Sequence, residues 1–131
     1  MKIEVSNGEI IDKYTILEIK LSKIKDKQKL VNIHHEYDVL TPDVKSIYDH
    51  CKDENHLKEL HNKLLDINKQ LWKIEDDIRE CEKANDFGDT FVKLARAVYY
   101  TNDDRSDVKK DINVFTGSDL VEEKSYEDYR S

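Results

Sequence analysis

Apolar residues recur at alternating steps of three and four between residues 57 and 81. This spacing puts them on one side of a helix and is typical of a helix that packs lengthwise against another. It predicts one long helix at about residues 55–83. The apolar positions, which form the seam of this helix, are Leu57, Leu60, Leu64, Ile67, Leu71, Ile74, Ile78 and Cys81.

The same rhythm predicts a first helix over about residues 7–25. Ser6 precedes Glu9 by three residues, so the Ser6 hydroxyl can accept a hydrogen bond from the amide of Glu9 and begin the helix. The apolar positions that follow are Ile10, Tyr14, Leu17, Leu21 and Ile24. We expect the two long helices, about 7–25 and 55–83, to pair as an antiparallel hairpin.

Shorter helices are predicted between the two long ones. Asp26 can cap a helix whose apolar face ends at Leu40. Threonine is a good cap and proline suits the first turn of a helix, so Thr41 and Pro42 predict the end of that helix and the start of a short third one. The third helix is expected to end near Cys51.

Two further helices are predicted after the long one. Gly88 can adopt the left-handed conformation that ends a helix, and Asp89 can cap a fourth helix. The polar run at 102–104 is expected to break that helix and to start a fifth, which ends before Gly117. The predicted fold is therefore all-α, with at least three shorter helices packed on the hairpin of two long ones.

Composition favours one domain over residues 1–131, with a charged tail at 119–131 that either docks on the bundle or stays mobile, docking being favoured. Only 37% of residues are apolar and 39% are charged, so the core is thin and a protein partner, most simply a second copy, would help to cover it. Three glycines and one proline are too few for a fold of many short strands.

Charge and hydropathy exclude several classes of partner. A net charge of -7 argues against binding to a nucleic-acid backbone, because such affinity comes from many lysines and arginines. No apolar stretch approaches the length of a membrane span, and the start of the chain does not resemble a signal peptide. Cys51 and Cys81 fall at apolar helical positions and read as core thiols, so a cytoplasmic location is expected.

Common catalytic and metal-binding patterns are absent from the sequence. No histidine stands three or four residues from another histidine or from a cysteine, so the five histidines are expected at the surface and neither a metal site nor a cofactor is predicted. Glu18 and Glu75 lie beside apolar helix positions and are expected to be partly buried. Glu75 has Arg79 four residues later, so an ion pair is favoured over a magnesium ligand.

The densest group of candidate functional residues lies between residues 96 and 109. A helix beginning near Arg105 would offer free amides and a partial positive charge, so Arg105 and Lys109 could bind a carboxylate or phosphate there. Asp103 and Asp104 would oppose such a ligand. The alternative is a capped turn whose arginines, Arg96 and Arg105, tie the helices together, and this alternative is favoured.

Several segments together resemble a family of small uncharacterised proteins, a domain of unknown function. The resemblance covers nearly the whole chain and implies no activity, but it marks places to search for a site. The segments are Asn7-Gly8-Glu9-Ile10-Ile11-Asp12-Lys13, Leu71-Trp72 with Glu75 and Arg79, Leu94-Ala95-Arg96-Ala97-Val98-Tyr99 through Asn102-Asp103 and Arg105, and Glu122-Glu123-Lys124-Ser125-Tyr126. The candidate ligand-binding residues are Asp12, Lys13, Arg96, Tyr99, Asn102, Arg105, Lys109 and Tyr126.

Two functions follow as hypotheses. The first is a helical binding or assembly module that associates with itself or with a protein partner through unused apolar surface. The alternative is a small all-α enzyme or binder of an anionic metabolite, whose phosphate or carboxylate contacts Arg96, Arg105 and Lys109. The sequence does not decide whether the protein is an enzyme.

Overall fold

The computed structural model describes residues 1–125 and 127–129, and this part of the chain contains four helices and no strand. The helices are α1 (Asn7–Lys23), α2 (Lys27–His50), α3 (Glu54–Lys83) and α4 (Asp89–Thr116). The prediction of an all-α fold is confirmed. The predicted number of helices is wrong, because α2 runs through Thr41 and Pro42 and α4 runs through residues 102–104, where breaks were expected.

Polar caps fix the starts of the first three helices. The Ser6 hydroxyl accepts from the Glu9 amide at 3.1 Å, as predicted, and the Asp26 carboxylate accepts from the amides of residues 28 and 29. Asp53 caps α3 in the same way. Gly88, not Asp89, is the capping residue of α4, and the left-handed conformation in the preceding loop belongs to Asn85, with φ 55°.

Helix α2 continues through Thr41 and Pro42, against the prediction of a boundary there. A proline inside a helix costs about 3 kcal/mol, so tertiary contacts must offset it. The Thr41 hydroxyl donates to the Tyr37 carbonyl at 2.8 Å and lies 3.1 Å from the Tyr14 hydroxyl, while the Tyr14 and Tyr37 rings stack at 4.4 Å. The buried residues on both sides of Pro42 are Ile33, Val44 and Ile47.

Helix α4 continues through the polar run at 102–104, so the predicted break and the helix start near Arg105 are both wrong. Thr101 and Val108 are buried on either side of this run, and their burial holds the helix together. Aspartate and asparagine disfavour a helix interior by only a few tenths of a kcal/mol each. The amides of this segment are used within α4 and are not free for a ligand.

Two helical hairpins, α1–α2 and α3–α4, make up the fold. The predicted hairpin of helices 7–25 and 55–83 is wrong in its pairing, because α3 packs most extensively against α4. Helix α1 instead pairs with α2 and contacts both α3 and α4. The shared core consists of Ile11, Ile47, Leu57, Leu60, Leu64, Ile67, Leu71, Val108 and Ile112.

Six of the eight seam positions are buried, and the other two, Ile74 and Ile78, are half-buried. The seam is thus less buried in the second half of α3. Fully burying a leucine or isoleucine contributes about 1.5–3 kcal/mol, so most of the hydrophobic stabilisation comes from the half of the hairpin that α1 and α2 cover.

Gly8 allows the start of α1 to approach the backbone of α4. Its amide donates to the Asn113 side-chain oxygen at 2.6 Å. A Cβ at this position would overlap the carbonyl oxygen of Lys109 and lie 2.9 Å from that Asn113 oxygen. A glycine is therefore required here by contact and not by backbone conformation.

We expect Gly8→Ala to lower the free energy of unfolding by about 1–3 kcal/mol, because the added methyl group forces two packed helices apart. Urea denaturation followed by circular dichroism measures the loss. Gly88→Ala is the control: a Cβ there meets only an Asp86 oxygen at 3.4 Å, so it should cost under about 1 kcal/mol, the difference between glycine and alanine at a helix cap. Equal losses in the two variants would contradict the steric argument.

Candidate functional site

A buried carboxylate, Asp12, joins three of the four helices. Asp12 lies on α1 and is 1% exposed. Its carboxylate accepts from Nε of Arg105 on α4 at 2.9 Å, from a second guanidinium nitrogen of the same residue, and from the Asn68 amide on α3 at 2.9 Å. Asn68 also donates to the Thr15 hydroxyl at 2.8 Å. This group, Asp12, Thr15, Asn68 and Arg105, is the buried polar cluster.

The geometry of the cluster fixes the orientation of Arg105. The hydrogen bond to Asp12 is the main reason that the pKa of Arg105 is raised, so the guanidinium stays charged. Asp12 accepts hydrogen bonds from two guanidinium nitrogens, Nε and Nη2. No other residue in the described part of the chain accepts from Arg105, so the remaining N–H donors of this guanidinium, which has five, are available.

Ion pairs attach the described part of the tail to α4. The Lys109 ammonium lies 2.6 Å from Glu9 on α1 and 3.7 Å from Glu122 in the tail. Lys110 and Glu123 pair at 2.8 Å. Lys124 lies 3.8 Å from Asp103 and 3.7 Å from Asp107. Two lysines of α4 thus pair with acids of the tail, and one lysine of the tail pairs with acids of α4.

An aromatic cluster lies at the far end of the tail. The Tyr129 hydroxyl donates to the Tyr99 carbonyl at 3.2 Å, and its ring meets the Tyr99 and Tyr100 rings edge to face at 5.0 and 4.8 Å. Hydrogen bonds to Tyr99 and then to Tyr100 raise the pKa of Arg96. Arg96 therefore belongs to the aromatic cluster.

A cavity of about 710 Å³ lies between α4 and the tail, and we call it the tail cavity. A second one of about 450 Å³ lies where α1 crosses α3 and α4, and Arg105 and Asn102 line both. The residues lining the tail cavity are Tyr99, Asn102, Asp103, Arg105, Ser106, Lys109, Glu127 and Tyr129.

The predicted site residues divide into two sets. Tyr99, Asn102, Arg105 and Lys109 all line the tail cavity, and Asp12 orients Arg105 from behind. The remaining three lie elsewhere: Lys13 is exposed and lies 3.6 Å from Glu36, Arg96 belongs to the aromatic cluster, and Tyr126 lies outside the described residues.

Asn68 and Thr15 belong to the cluster but are not among the predicted site residues. His61, Asn68 and Glu75 are seven residues apart and follow directly after Leu60, Ile67 and Ile74 of the seam. Polar residues that recur at one heptad position beside a seam lie on its flank, where a third helix can bury them. That recurrence was a usable signal for Asn68.

His61 is buried, 4% exposed, and the prediction of a surface histidine is wrong for this residue. Its Nδ1 lies 2.9 Å from the Tyr48 hydroxyl and its Nε2 lies 3.1 Å from the Glu18 carboxylate, so the ring links α1, α2 and α3. Desolvation raises the pKa of Tyr48 to about 12, and the phenol stays neutral. These contacts make His61 a structural link.

Glu75 and Arg79 form the predicted ion pair, at 2.7 Å. In residues 1–125 and 127–129, no group of three or more histidines, cysteines or acids is arranged to hold a metal ion. The helices of that part of the chain include none that is both long and apolar enough to cross a membrane.

The chain belongs to a family of unknown function, DUF6165, whose family model matches residues 1–131. The resemblance to an uncharacterised family is therefore confirmed. Neither the curated proteins nor the solved structures contain a match to this chain. Because the family has no assigned activity, the function has to be inferred from the geometry above.

We expect Asp12→Ala to lower the free energy of unfolding by about 3–5 kcal/mol, because it leaves a partly buried guanidinium and the Asn68 amide without their acceptor. Urea denaturation at neutral pH gives the value. Asp77→Ala is the control, since Asp77 pairs with Lys73 at 3.0 Å on an exposed surface and such pairs contribute about 0–1 kcal/mol. Similar losses for the two variants would show that the cluster is not a special source of stability.

Proposed function

We propose that this protein is a helical assembly module that self-associates through the tip of the α3–α4 hairpin, residues 72–100. The observation that carries this proposal is the burial pattern of the tip. Of its residues, all of which the structure describes, only Cys81 is buried. A helical hairpin with almost no buried side chain is marginally stable alone, and it gains stability when a second surface covers it.

The polar contacts of α1 end before the tip. Among the described residues, the hydrogen bonds and ion pairs from α1 to the hairpin reach no further toward the tip than Asn68 on α3 and Arg105 on α4. From Asn68 to Lys83, at the end of α3, is roughly 22 Å at 1.5 Å per residue. Most of the tip therefore extends beyond the last polar contacts with α1.

The tip carries apolar side chains that its own two helices leave uncovered. Phe87 and Val92 are 52% and 50% exposed. Two helices cover each other on one side only, whereas two hairpins packed together form a four-helix bundle with a closed core. The half-buried residues that such packing would cover are Ile74, Ile78, Phe91, Leu94 and Val98.

Charge favours a second copy as the partner. In the tip, α3 carries five carboxylates against three cations over 73–83, whereas α4 carries two cations against one carboxylate over 89–100. A two-fold axis can place α3 of one copy beside α4 of the other, so that both contacts join unlike net charge. Two free cysteines, Cys51 and Cys81, fit a reducing compartment, and we place the assembly in the cytoplasm.

We expect the wild-type protein to form dimers whose population rises with concentration in sedimentation equilibrium. Phe87→Glu/Val92→Glu should weaken the dimer at least about tenfold, because it puts charges into the apolar contact. Both side chains are exposed in the single chain, so the fold should persist.

The matched control is Val31→Glu/Val114→Glu, which changes two valines that are 66% and 68% exposed and lie outside the tip. Circular dichroism verifies that both variants stay helical. A wild-type protein that remains monomeric at millimolar concentration would overturn the proposal, as would a control variant that dissociates as readily as the tip variant.

A further inference from the structure

We propose that the tail cavity binds a small zwitterion of the amino-acid type. The carboxylate of the ligand contacts Arg105, and its ammonium group lies between Asp103 and Glu127. This proposal is independent of self-association, because the tail cavity shares only Tyr99 with the tip and does not include Phe87 or Val92.

The side chain of Arg105 is oriented so that it can bind a carboxylate. Asp12 takes the Nε edge of the guanidinium and is itself fixed by Asn68, so the side chain is already ordered before a ligand arrives. The other edge of a guanidinium can form a second forked pair with a carboxylate. Because the ordering cost has already been met within the fold, binding at this edge loses little side-chain entropy.

The opposite side of the cavity is acidic. Asp103 lies 3.8 Å from Lys124, a cation that it shares with Asp107 at 3.7 Å, so part of its negative charge remains available to a ligand. Glu127 has no ion pair with any described residue, and it lines the same cavity. On α4, Asn102 and Ser106 lie between Arg105 and Asp103 around the helix, since successive residues are about 100° apart. The cavity thus has one cationic edge and one acidic edge.

The charge of the surroundings selects the class of ligand. Arg105 is already paired with Asp12, and Lys109 with Glu9 and Glu122, so a phosphate dianion would add charge to an acid-rich region. A simple cation would leave the free edge of Arg105 without a partner. A zwitterion meets both edges and leaves the local charge unchanged, which avoids burying an uncompensated charge.

Size and lining agree with a small organic ligand. A volume of about 710 Å³ is within the usual range of small-molecule pockets. Tyr99 and Tyr129 supply aromatic surface for an apolar side chain or an ammonium group.

The first test measures the melting temperature of the full chain with each proteinogenic amino acid added separately at millimolar concentration. We expect at least one to raise the melting temperature, and the stabilisation should grow with the logarithm of ligand concentration above the dissociation constant. The N-acetyl and the carboxamide derivatives of that amino acid should bind at least about tenfold more weakly in calorimetry, because each loses one charged contact. If none of the amino acids raises the melting temperature, or if a derivative binds as well as its parent, the proposal is wrong.

Variants locate the binding. Ser106→Trp fills the cavity and leaves the contact between Asp12 and Arg105 intact, so it should abolish binding without unfolding the protein. Ser46→Trp, at an exposed position of α2, is the control and should bind normally. Asp103→Asn should weaken the binding of the parent amino acid about tenfold. The binding of its N-acetyl derivative should not change, because that derivative has no ammonium group. Unchanged affinity in Ser106→Trp would place the ligand elsewhere and overturn the assignment.

Discussion

A single buried carboxylate, Asp12, holds the arrangement of the helices. Ionised carboxylates are costly to bury unless charged and polar partners surround them, and here those partners come from α3 and α4. The position of α1 over the hairpin is therefore fixed by directional hydrogen bonds as well as by apolar packing, since hydrogen bonds require a defined geometry. The close approach at Gly8 and the orientation of Arg105 both depend on that position.

The molecule has three parts that are stabilised by different interactions. The part where α1 and α2 cover the α3–α4 hairpin contains the core of nine buried apolar residues and the buried polar cluster. The tip has a half-covered seam and exposed aromatic residues, which suits it for contact with another molecule. The tail is attached by ion pairs and by one tyrosine cluster. Two of its residues, Glu127 and Tyr129, line the tail cavity. Assembly and ligand binding can thus use separate surfaces.

Local sequence preferences failed where tertiary contacts opposed them. Pro42 and the polar run at 102–104 are good local boundaries, yet buried residues on both sides keep α2 and α4 continuous. The predicted anion site required a helix to begin near Arg105, and no helix begins there because α4 is continuous. Four of its neighbouring side chains nevertheless line one cavity, because the spacing of Tyr99, Asn102, Arg105 and Lys109 puts them on one face of a helix even without a break.

The sequence by itself determined the all-α class, the bounds of α1 and α3 to within two residues, two of the caps, and the seam, because each of these depends on neighbours a few residues apart. Tertiary structure alone decided which helices pair and which polar groups meet. A periodic apolar face shows that a helix is buried but not against what. The contact of Asp12 with Arg105 joins residues 93 positions apart, and no local pattern encodes such a distance.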